Sequence, residues 1–157
     1  MSLDHFDIEI LAILQEGNLT PQRTIGERVN LSAAAVNRRI KRMEADGVIR
    51  ANIAVLDAEK VGQRITIIVE VELESEHVDL IDQAKASFLA TPEVQQCYYV
   101  TGEMDFVLVV SVASMGDYEL LTRRLFFNNP NMKRFRTLVA MNCVKVGLSI
   151  PLQISVK

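Results

Sequence analysis

The chain has 157 residues, enough for one medium-sized domain or two small ones, and 49% of them are hydrophobic. This composition supports a buried core and excludes an intrinsically disordered chain. No apolar run reaches the roughly 18–20 residues of a membrane span, and the first residues lack the basic start of a signal peptide. Two cysteines, Cys97 and Cys143, are too few for a disulfide framework, so we expect reduced thiols and a cytoplasmic protein.

The net charge of −3 argues at first sight against nucleic-acid binding, but the charges are unevenly distributed. Residues 36–50 hold five basic and two acidic side chains, whereas acidic residues gather at residues 70–82. A mildly acidic protein with one basic segment is expected to bind DNA modestly as a monomer. It would gain affinity by presenting several such segments together.

Helical periodicity dominates the first part of the chain. Apolar residues along residues 6–14 predict a first helix that ends near Gly17. Thr20 and Pro21 predict the start of a second helix, because a proline at the first helical position loses no hydrogen bond. A short break then follows at residues 30–32.

A third helix is predicted directly after this break. Ser32 is its expected N-cap, Gly47 stands at its expected end, and Val48 and Ile49 are expected to continue buried. One face of this helix carries apolar residues at helical spacing: Val36, Ile40 and Met43. Two helices joined by a tight break, the second one basic, specify a helix-turn-helix element.

The opposite face of the third helix combines small, amide and basic side chains. Small residues permit close approach to a groove, an amide can read an adenine edge, and basic groups reach guanine or phosphate. The candidate DNA-binding residues are Ser32, Ala33, Ala34, Asn37, Arg38, Lys41, Arg42 and Arg50. The expected phosphate-binding residues among them are Lys41, Arg42 and Arg50. A solvated basic face on an ordinary helix is the alternative interpretation, and Arg39 either contacts DNA or braces the helix against acid from the first helix.

The periodicity changes near residue 58. Residues 51–56 alternate and predict a short strand. Later strands are predicted near residues 65–74, 94–100, 106–112 and 134–144, with helices after the first and third of them. Alternation from Ile150 to Val156 predicts one further strand. The order β-α-β-β-α-β is typical of a ferredoxin-like fold.

These patterns predict an α+β protein. An all-helical helix-turn-helix (winged-helix-like) domain is expected at residues 1–57, a hinge at residues 58–62, and a βαββαβ ferredoxin-like domain at residues 63–157. One face of the predicted sheet lacks helices but stays apolar in places, at Val107, Val109, Val139 and Met141. We therefore expect a second subunit to cover that face.

Four segments carry sequence motifs in a recognisable order. They are residues 3–11, residues 29–49, the Val-Thr-Gly-Glu-x-Asp segment at residues 100–105, and Arg136-Thr137. Together they resemble the Lrp/AsnC family of transcriptional regulators. The resemblance implies a DNA-binding domain, a hinge, and an effector-binding domain (RAM type) that dimerises. It also implies that dimers assemble into tetramers or octamers, with an amino acid bound between them.

Three positions depart from the pattern of this family. Leu19, Gly26 and Asn30 stand where arginine, alanine and glycine are usual. A glycine inside a helix is expected to cost about 1 kcal/mol relative to alanine. Residues 148–152 resemble the branch of the family that responds to leucine or methionine.

The resemblance also implies an effector site. Its candidate residues are Val100, Thr101, Gly102, Glu103 and Asp105, with Lys133 and Thr137 from a neighbouring subunit. Backbone N–H groups would hold an α-carboxylate, while Glu103 or Asp105 would pair with an α-ammonium group. From the residues alone, a polar hairpin turn is the favoured interpretation of this loop, and the family resemblance reverses that preference.

Catalytic and metal-binding patterns find little support. His5 and His77 are isolated, and neither cysteine has an evident base nearby. We therefore predict a homo-oligomeric regulator that is not an enzyme and needs no cofactor beyond an amino-acid effector. Two alternatives stay open: an amino-acid sensor that does not read DNA, and a small ferredoxin-like enzyme that depends on Cys97 or Asp105.

Overall fold

The computed structural model describes residues 2–152, which form two compact units. The helical unit contains residues 2–55 and 147–152, and the sheet unit contains residues 56–146. Residues 147–152 thus belong with the helical unit, although the alternating pattern assigned them to the C-terminal domain. Within residues 2–152, no helix has the length and apolar character needed to span a membrane.

The helical unit contains three helices: α1 (His5–Glu16), α2 (Gln22–Val29) and α3 (Ala33–Ala45). Asp4 caps α1, and its Oδ1 accepts a hydrogen bond of 2.9 Å from the Asp7 backbone. Ser32 caps α3 as predicted, because its Oγ accepts from the Ala35 backbone N–H at 3.2 Å. The core of the unit consists of six buried residues: Ile10, Ile13, Ile25, Val29, Val36 and Met43.

Three local expectations for this unit are wrong. Pro21, not Thr20, occupies the N-cap of α2, and the Thr20 hydroxyl donates instead to the Gly17 carbonyl at 2.6 Å. Val48 is exposed rather than buried. Residues 51–56 form no strand, because a strand requires a hydrogen-bonded neighbour and no described segment of this chain pairs with them.

Residues 147–152 are hydrogen-bonded to the helical unit through one side chain of α1. The Gln15 Nε2 atom donates to the Ile150 carbonyl at 2.9 Å, and the Gln15 Oε1 atom accepts from the Ile150 N–H at 2.7 Å. The predicted strand at residues 150–156 is not formed at 150–152. Its other residues, including Ile154 and Val156, lie outside the described residues.

The sheet unit has the predicted βαββαβ order. Its elements are β1 (Ile65–Leu73), α4 (Val78–Leu89), β2 (Val94–Tyr99), β3 (Phe106–Val112), α5 (Met115–Thr122) with a π-helical turn (Arg123–Phe127), and β4 (Met132–Val139). The four strands are antiparallel in the order β2-β3-β1-β4. Alternate residues of β1 and β3 are buried in one core with α4, α5 and the π-helical turn. The α+β, ferredoxin-like prediction is confirmed.

The register of the strands defines the face of the sheet without helices, here called the open face. Val107 and Val109 lie on it, because they alternate with the buried residues of β3. Val139 does not, since it pairs with the buried Ile67, and the adjacent Leu138 occupies the open face instead. Met141 is fully exposed beyond the end of β4, so two of the four predicted open-face residues are wrong.

The turn between α2 and α3 depends on Gly26. The Leu31 N–H donates to the Gly26 carbonyl at 2.9 Å, and a Cβ atom at position 26 would lie 2.3 Å from the Leu31 carbonyl oxygen. This distance is far below van der Waals contact, so the turn would have to open. The expected gain from alanine in a helix is therefore outweighed by this collision.

We predict that Gly26→Ala destabilises the helical unit by about 1–3 kcal/mol, which is typical of overpacking. Thermal unfolding followed by circular dichroism measures the effect. Gly17→Ala is the control, because position 17 has an extended backbone and its added Cβ would meet only the Thr20 Oγ1 at 3.4 Å. An unchanged or raised melting temperature for Gly26→Ala would contradict the close approach.

Candidate nucleic-acid interface and effector-binding loop

Most of the predicted DNA-binding residues are exposed in the helical unit. Seven are exposed and Asn37 is half-buried; the exposed ones are Ser32, Ala33, Ala34, Arg38, Lys41, Arg42 and Arg50. Positions 33, 34, 37, 38 and 41 follow one side of α3 at helical spacing. We call this side the recognition face.

The cations of the helical unit fall into two groups. Arg23, Arg28, Arg39 and Arg42 form ion pairs within the unit. Arg38, Lys41 and Arg50 have no acidic partner among residues 2–152. Because their charges are not neutralised locally, these three are available to an external anion.

Two arginines of α3 that lie outside the recognition face, Arg39 and Arg42, are tied to α1 by a buried carboxylate. Asp7 is fully buried, and the Arg39 Nη1 atom donates to Asp7 Oδ1 and to Asp4 Oδ2, both at 2.8 Å. The Arg42 Nη2 atom donates to the two Asp7 oxygens at 2.7 and 2.8 Å. We call this group of four residues the Asp7 cluster.

The Asp7 cluster decides between the two interpretations of Arg39 in favour of bracing against α1. It also engages Arg42, for which the sequence predicts a phosphate contact, so this guanidinium has a structural partner within the protein. Sequence reasoning overlooked this second arginine. The spacing of the two arginines could have indicated it, because Arg42 follows Arg39 by three residues and residues three apart on a helix lie on the same side.

Charge pairing in the cluster shifts two pKa values. The pKa of the Asp4 carboxyl is lowered, mainly because it accepts the Asp7 backbone N–H and also because Arg39 donates to it. The pKa of Arg39 is raised because the carboxylates of Asp7 and Asp4 accept its hydrogen bonds. Both shifts favour the charged forms that hold α1 and α3 together.

One more side-chain contact lies beside the recognition face. Gln22, the first residue of α2, donates from its Nε2 atom to the Asn37 Oδ1 atom at 3.1 Å. Gln22 is exposed and Asn37 half-buried. No sequence pattern indicated this contact, because the two residues belong to different helices.

In the sheet unit, the predicted effector loop connects β2 to β3. The Val100 N–H donates to the Asp105 carbonyl at 2.9 Å, which closes the loop. The loop bends at Gly102, whose φ of 127° is a conformation that favours glycine. Thr101 and Glu103 are exposed.

Asp105 anchors this loop to β1. Its N–H donates to the Val71 carbonyl at 2.8 Å, and its Oδ2 atom accepts from the Leu73 N–H at 2.7 Å. One carboxylate oxygen thus completes the backbone pairing at the end of β1. Glu103 has no ion-pair partner within the described part of the chain, so it is the better candidate for an α-ammonium group.

Lys133 and Thr137 are not brought together within one chain. Lys133 pairs with Glu72 at 2.7 Å, which raises the pKa of Lys133 and lowers that of Glu72. Thr137 contacts the Tyr118 hydroxyl at 2.6 Å in the interior, where burial raises the pKa of Tyr118. Four residues of strand separate the two by about 13 Å.

The other candidate groups are possible metal ligands and the two thiols. Among residues 2–152, no group of three His, Cys, Asp or Glu side chains is arranged to hold a metal ion. Burial raises the pKa of the Cys97 thiol, which disfavours the nucleophilic thiolate, and Cys143 is exposed.

Comparison with known families defines the class of protein. A profile of winged helix-turn-helix DNA-binding domains matches residues 3–50, and the profile of the Lrp/AsnC ligand binding domain matches residues 66–150. Together with the fold, these matches define a DNA-binding transcription regulator with a separate ligand-binding domain. The chain belongs to the Lrp/AsnC family of transcriptional regulators.

Individual relatives agree with this assignment. An HTH-type transcriptional regulator of Sinorhizobium fredii is 40% identical over 154 residues, covering 98% of this chain and 91% of the relative. The leucine-responsive regulatory protein of Haemophilus influenzae is 33% identical, covering 92% and 87%. A transcriptional regulator of Neisseria meningitidis, solved as a complex with L-Met, is 27% identical with a TM-score of 0.87, covering 96% and 97%.

We predict that Asp7→Ala destabilises the helical unit by about 1–3 kcal/mol, because the hydrogen bonds of two arginines to this carboxylate are lost while Arg39 keeps its bond to Asp4. Chemical denaturation measures the loss. Glu16→Gln is the control, since its ion pair with Arg28 is exposed at both ends and such pairs contribute less than about 1 kcal/mol. Equal stability losses in the two variants would contradict a special role for the Asp7 cluster.

Proposed function

We propose that this regulator reads two-fold-symmetric DNA through α3 and responds to an amino acid, with leucine or methionine favoured. The main support for DNA binding is that α3 has two kinds of cation, those paired with acidic residues of α1 and those without an acidic partner among residues 2–152. Arg39 and Arg42 face α1, whereas Arg38 and Lys41 stay unpaired on the recognition face. A basic surface kept free of local counter-charges is the electrostatic footprint of a nucleic-acid site.

The residues of the recognition face have different tasks in this proposal. Ala33 and Ala34 let the helix approach the floor of the major groove, where Asn37 and Arg38 read base edges. Lys41 and Arg50 neutralise phosphates and position the helix without reading sequence. The Ser32 hydroxyl is already engaged as the N-cap of α3, so its contribution to DNA binding is indirect.

We further propose that two copies pack through the open face. Val107 and Val109 lie at its centre, and Ile68, Leu138 and Tyr98 expose 37%, 44% and 52% of their surface. An isologous dimer buries the same patch from each copy and presents two recognition helices related by a two-fold axis. Such dimers would assemble further into tetramers or octamers, acting in the cytoplasm where the DNA lies.

The effector part of the proposal concerns residues 100–105. The N–H groups of Thr101 and Gly102 lie in an exposed, glycine-bent segment that suits an α-carboxylate, and Glu103 offers an unpaired carboxylate for the α-ammonium group. Lys133 and Thr137 would come from a neighbouring subunit. Leucine and methionine are favoured by the names of two relatives, the leucine-responsive protein and the regulator solved with L-Met.

The DNA-binding proposal predicts two different mutant phenotypes. Arg38→Ala should lower the preference for specific over random DNA, whereas Arg50→Ala should weaken both alike. Each substitution that removes a phosphate contact should reduce the salt slope of binding by nearly one unit. Selection of genomic fragments at about physiological salt, followed by binding titrations over a range of salt, measures both effects.

Arg123→Ala is the matched control, because it removes the same charge from an exposed residue of the sheet unit. It should bind DNA like the unmodified protein. Equal losses on specific and random DNA for Arg38→Ala and Arg50→Ala would overturn the assignment of roles. A selected motif without two-fold symmetry would speak against the dimeric arrangement.

The effector proposal predicts measurable heat on titration with leucine or methionine. Glu103→Gln should weaken this binding about tenfold, because a hydrogen bond between charged groups is replaced by a weaker one. Glu119→Gln, an exposed carboxylate on α5, should leave it unchanged. Isothermal titration with all twenty amino acids provides the test, and no heat with any of them would contradict the proposal.

A further inference from the structure

The segment that follows β4 carries a row of exposed apolar side chains. Each exposes at least 66% of its surface: Met141, Val144, Val146, Leu148 and Ile150. From residue 144 onward they alternate with other residues, which is the sequence pattern of a strand with one buried side. The segment nevertheless forms no strand, and its apolar side is open to solvent. We call residues 141–150 the arm.

The arm is held at its two ends. Just before it begins, the Ala140 N–H donates to the Thr66 carbonyl at 2.9 Å, and at its far end Ile150 is bonded to Gln15. Between these points, the backbone of residues 141–149 makes no hydrogen bond within residues 2–152. The backbone N–H and C=O groups of the arm are therefore free to pair with a strand from elsewhere.

A second segment of the chain has the same two properties. Residues 51–56 form no strand, and their backbone makes no hydrogen bond to the rest of the described chain. Ile53, Val55 and Leu56 expose 64%, 92% and 66% of their surface. The arm and residues 51–56 are not paired with each other, although both belong to one chain. Exposed apolar segments of this kind mark an interaction with another molecule.

A second copy of this chain is the partner that these segments fit. The arm carries one charged residue, Lys145, and residues 51–56 carry none, so no like charges oppose their contact. The arm also begins shortly after Leu138, which lies on the open face. It therefore starts at the margin of the surface through which we propose that two copies pack.

We propose that the arm of each copy crosses to the other copy and pairs as a strand with residues 51–56 there. Such strand addition joins backbone hydrogen bonds to contacts of alternate side chains, and here it buries the apolar sides of both segments. By two-fold symmetry, each dimer contains two of these pairings. The inference rests on the proposed dimer and deepens it, because it names segments by which the two copies hold each other.

The first test removes apolar surface from the arm. Val144→Ser combined with Val146→Ser should raise the dissociation constant of the dimer about a hundredfold, because the lost burial counts in both arms. These side chains expose 89% and 78% of their surface, so the fold of one copy should not change. Sedimentation equilibrium measures the constant. Val78→Ser combined with Leu89→Ser is the matched control, since it removes side chains of α4 that are 70% and 82% exposed.

The second test concerns the receiving segment. Val55→Ser should weaken the dimer about tenfold. Combined with the two arm substitutions, it should cost less than the product of the separate effects, because both changes remove the same contact. Independent effects that multiply would overturn the pairing between the arm and residues 51–56, and so would an unchanged dissociation constant for Val55→Ser.

Hydrogen exchange followed by mass spectrometry detects the pairing without a change in either segment. In the unmodified dimer, backbone amides of residues 51–56 and 141–149 should exchange at least tenfold more slowly than in a monomer. Val109→Lys supplies that monomer, because it places a charge on the open face. Equally fast exchange in dimer and monomer would contradict strand pairing.

The dimer proposal and the arm inference can fail separately. If Val109→Lys weakens the dimer but the arm substitutions do not, the arm inference is overturned and the open-face dimer stands. If unmodified protein is monomeric at every concentration tested, the proposed dimer fails, and the arm inference fails with it. A loss in the α4 control equal to that in the arm variant would also contradict a special role for the arm.

Discussion

The buried carboxylate of Asp7 is the constraint on which the helical unit depends. A charge removed from water must be paired, and both arginines that pair with Asp7 come from α3. Their positions, 39 and 42, fix the rotation of α3 about its axis. Lys41, which lies between them in sequence, is thereby turned away from α1, whereas Arg38 lies four residues before Arg42 on the same side of the helix and has no acidic partner among residues 2–152. The electrostatic need of one aspartate therefore determines which cations are presented to a partner.

In the sheet unit, strand register likewise decides which side chains are buried and which are exposed, because it assigns each residue to one of the two faces of the sheet. Pairing of β1 with β3 and β4 buries one set of side chains under the helices and leaves Val107, Val109 and Leu138 uncovered. On the same open face, Glu70 and Glu72 pair with Arg136 and Arg134 of β4. Charges that could prevent association of this face are thus neutralised within the chain, and the uncovered apolar residues remain accessible.

Much of the architecture could be predicted, because it depends on local patterns. The N-cap at Ser32, the left-handed Gly47 just beyond the C-cap of α3, the alternation along β1, and the bounds of β3 all follow from the chemistry of neighbouring residues. Errors arose where the outcome depends on distant parts of the chain. The side of the sheet taken by Val139 depends on the irregular pairing near Leu73, and the strand predicted at residues 51–56 lacks a partner.

The same distinction holds for the candidate sites. The recognition face could be predicted from helical spacing, but the engagement of Arg42 by Asp7 requires a contact across 35 residues. Helix propensity predicts that Gly26 makes the helical unit slightly less stable than an alanine at this position would. The closeness of the Leu31 carbonyl, which reverses that argument, is a property of the folded turn. The sequence predicts that Asp105 faces a ligand. Its carboxylate instead accepts a hydrogen bond from the Leu73 N–H on β1, and this contact with a distant strand cannot be predicted from the loop alone.

The attachment of Ile150 to Gln15 has a consequence for the order of folding. The two residues are 135 positions apart, so their contact closes a loop that includes the whole sheet unit. Closing so long a loop in an unfolded chain is entropically costly, whereas prior folding of the intervening residues shortens it. Both hydrogen bonds are exposed to solvent, which makes them easy to break. We therefore expect residues 147–152 to join the helical unit after the rest of it has folded and to leave it before the rest unfolds.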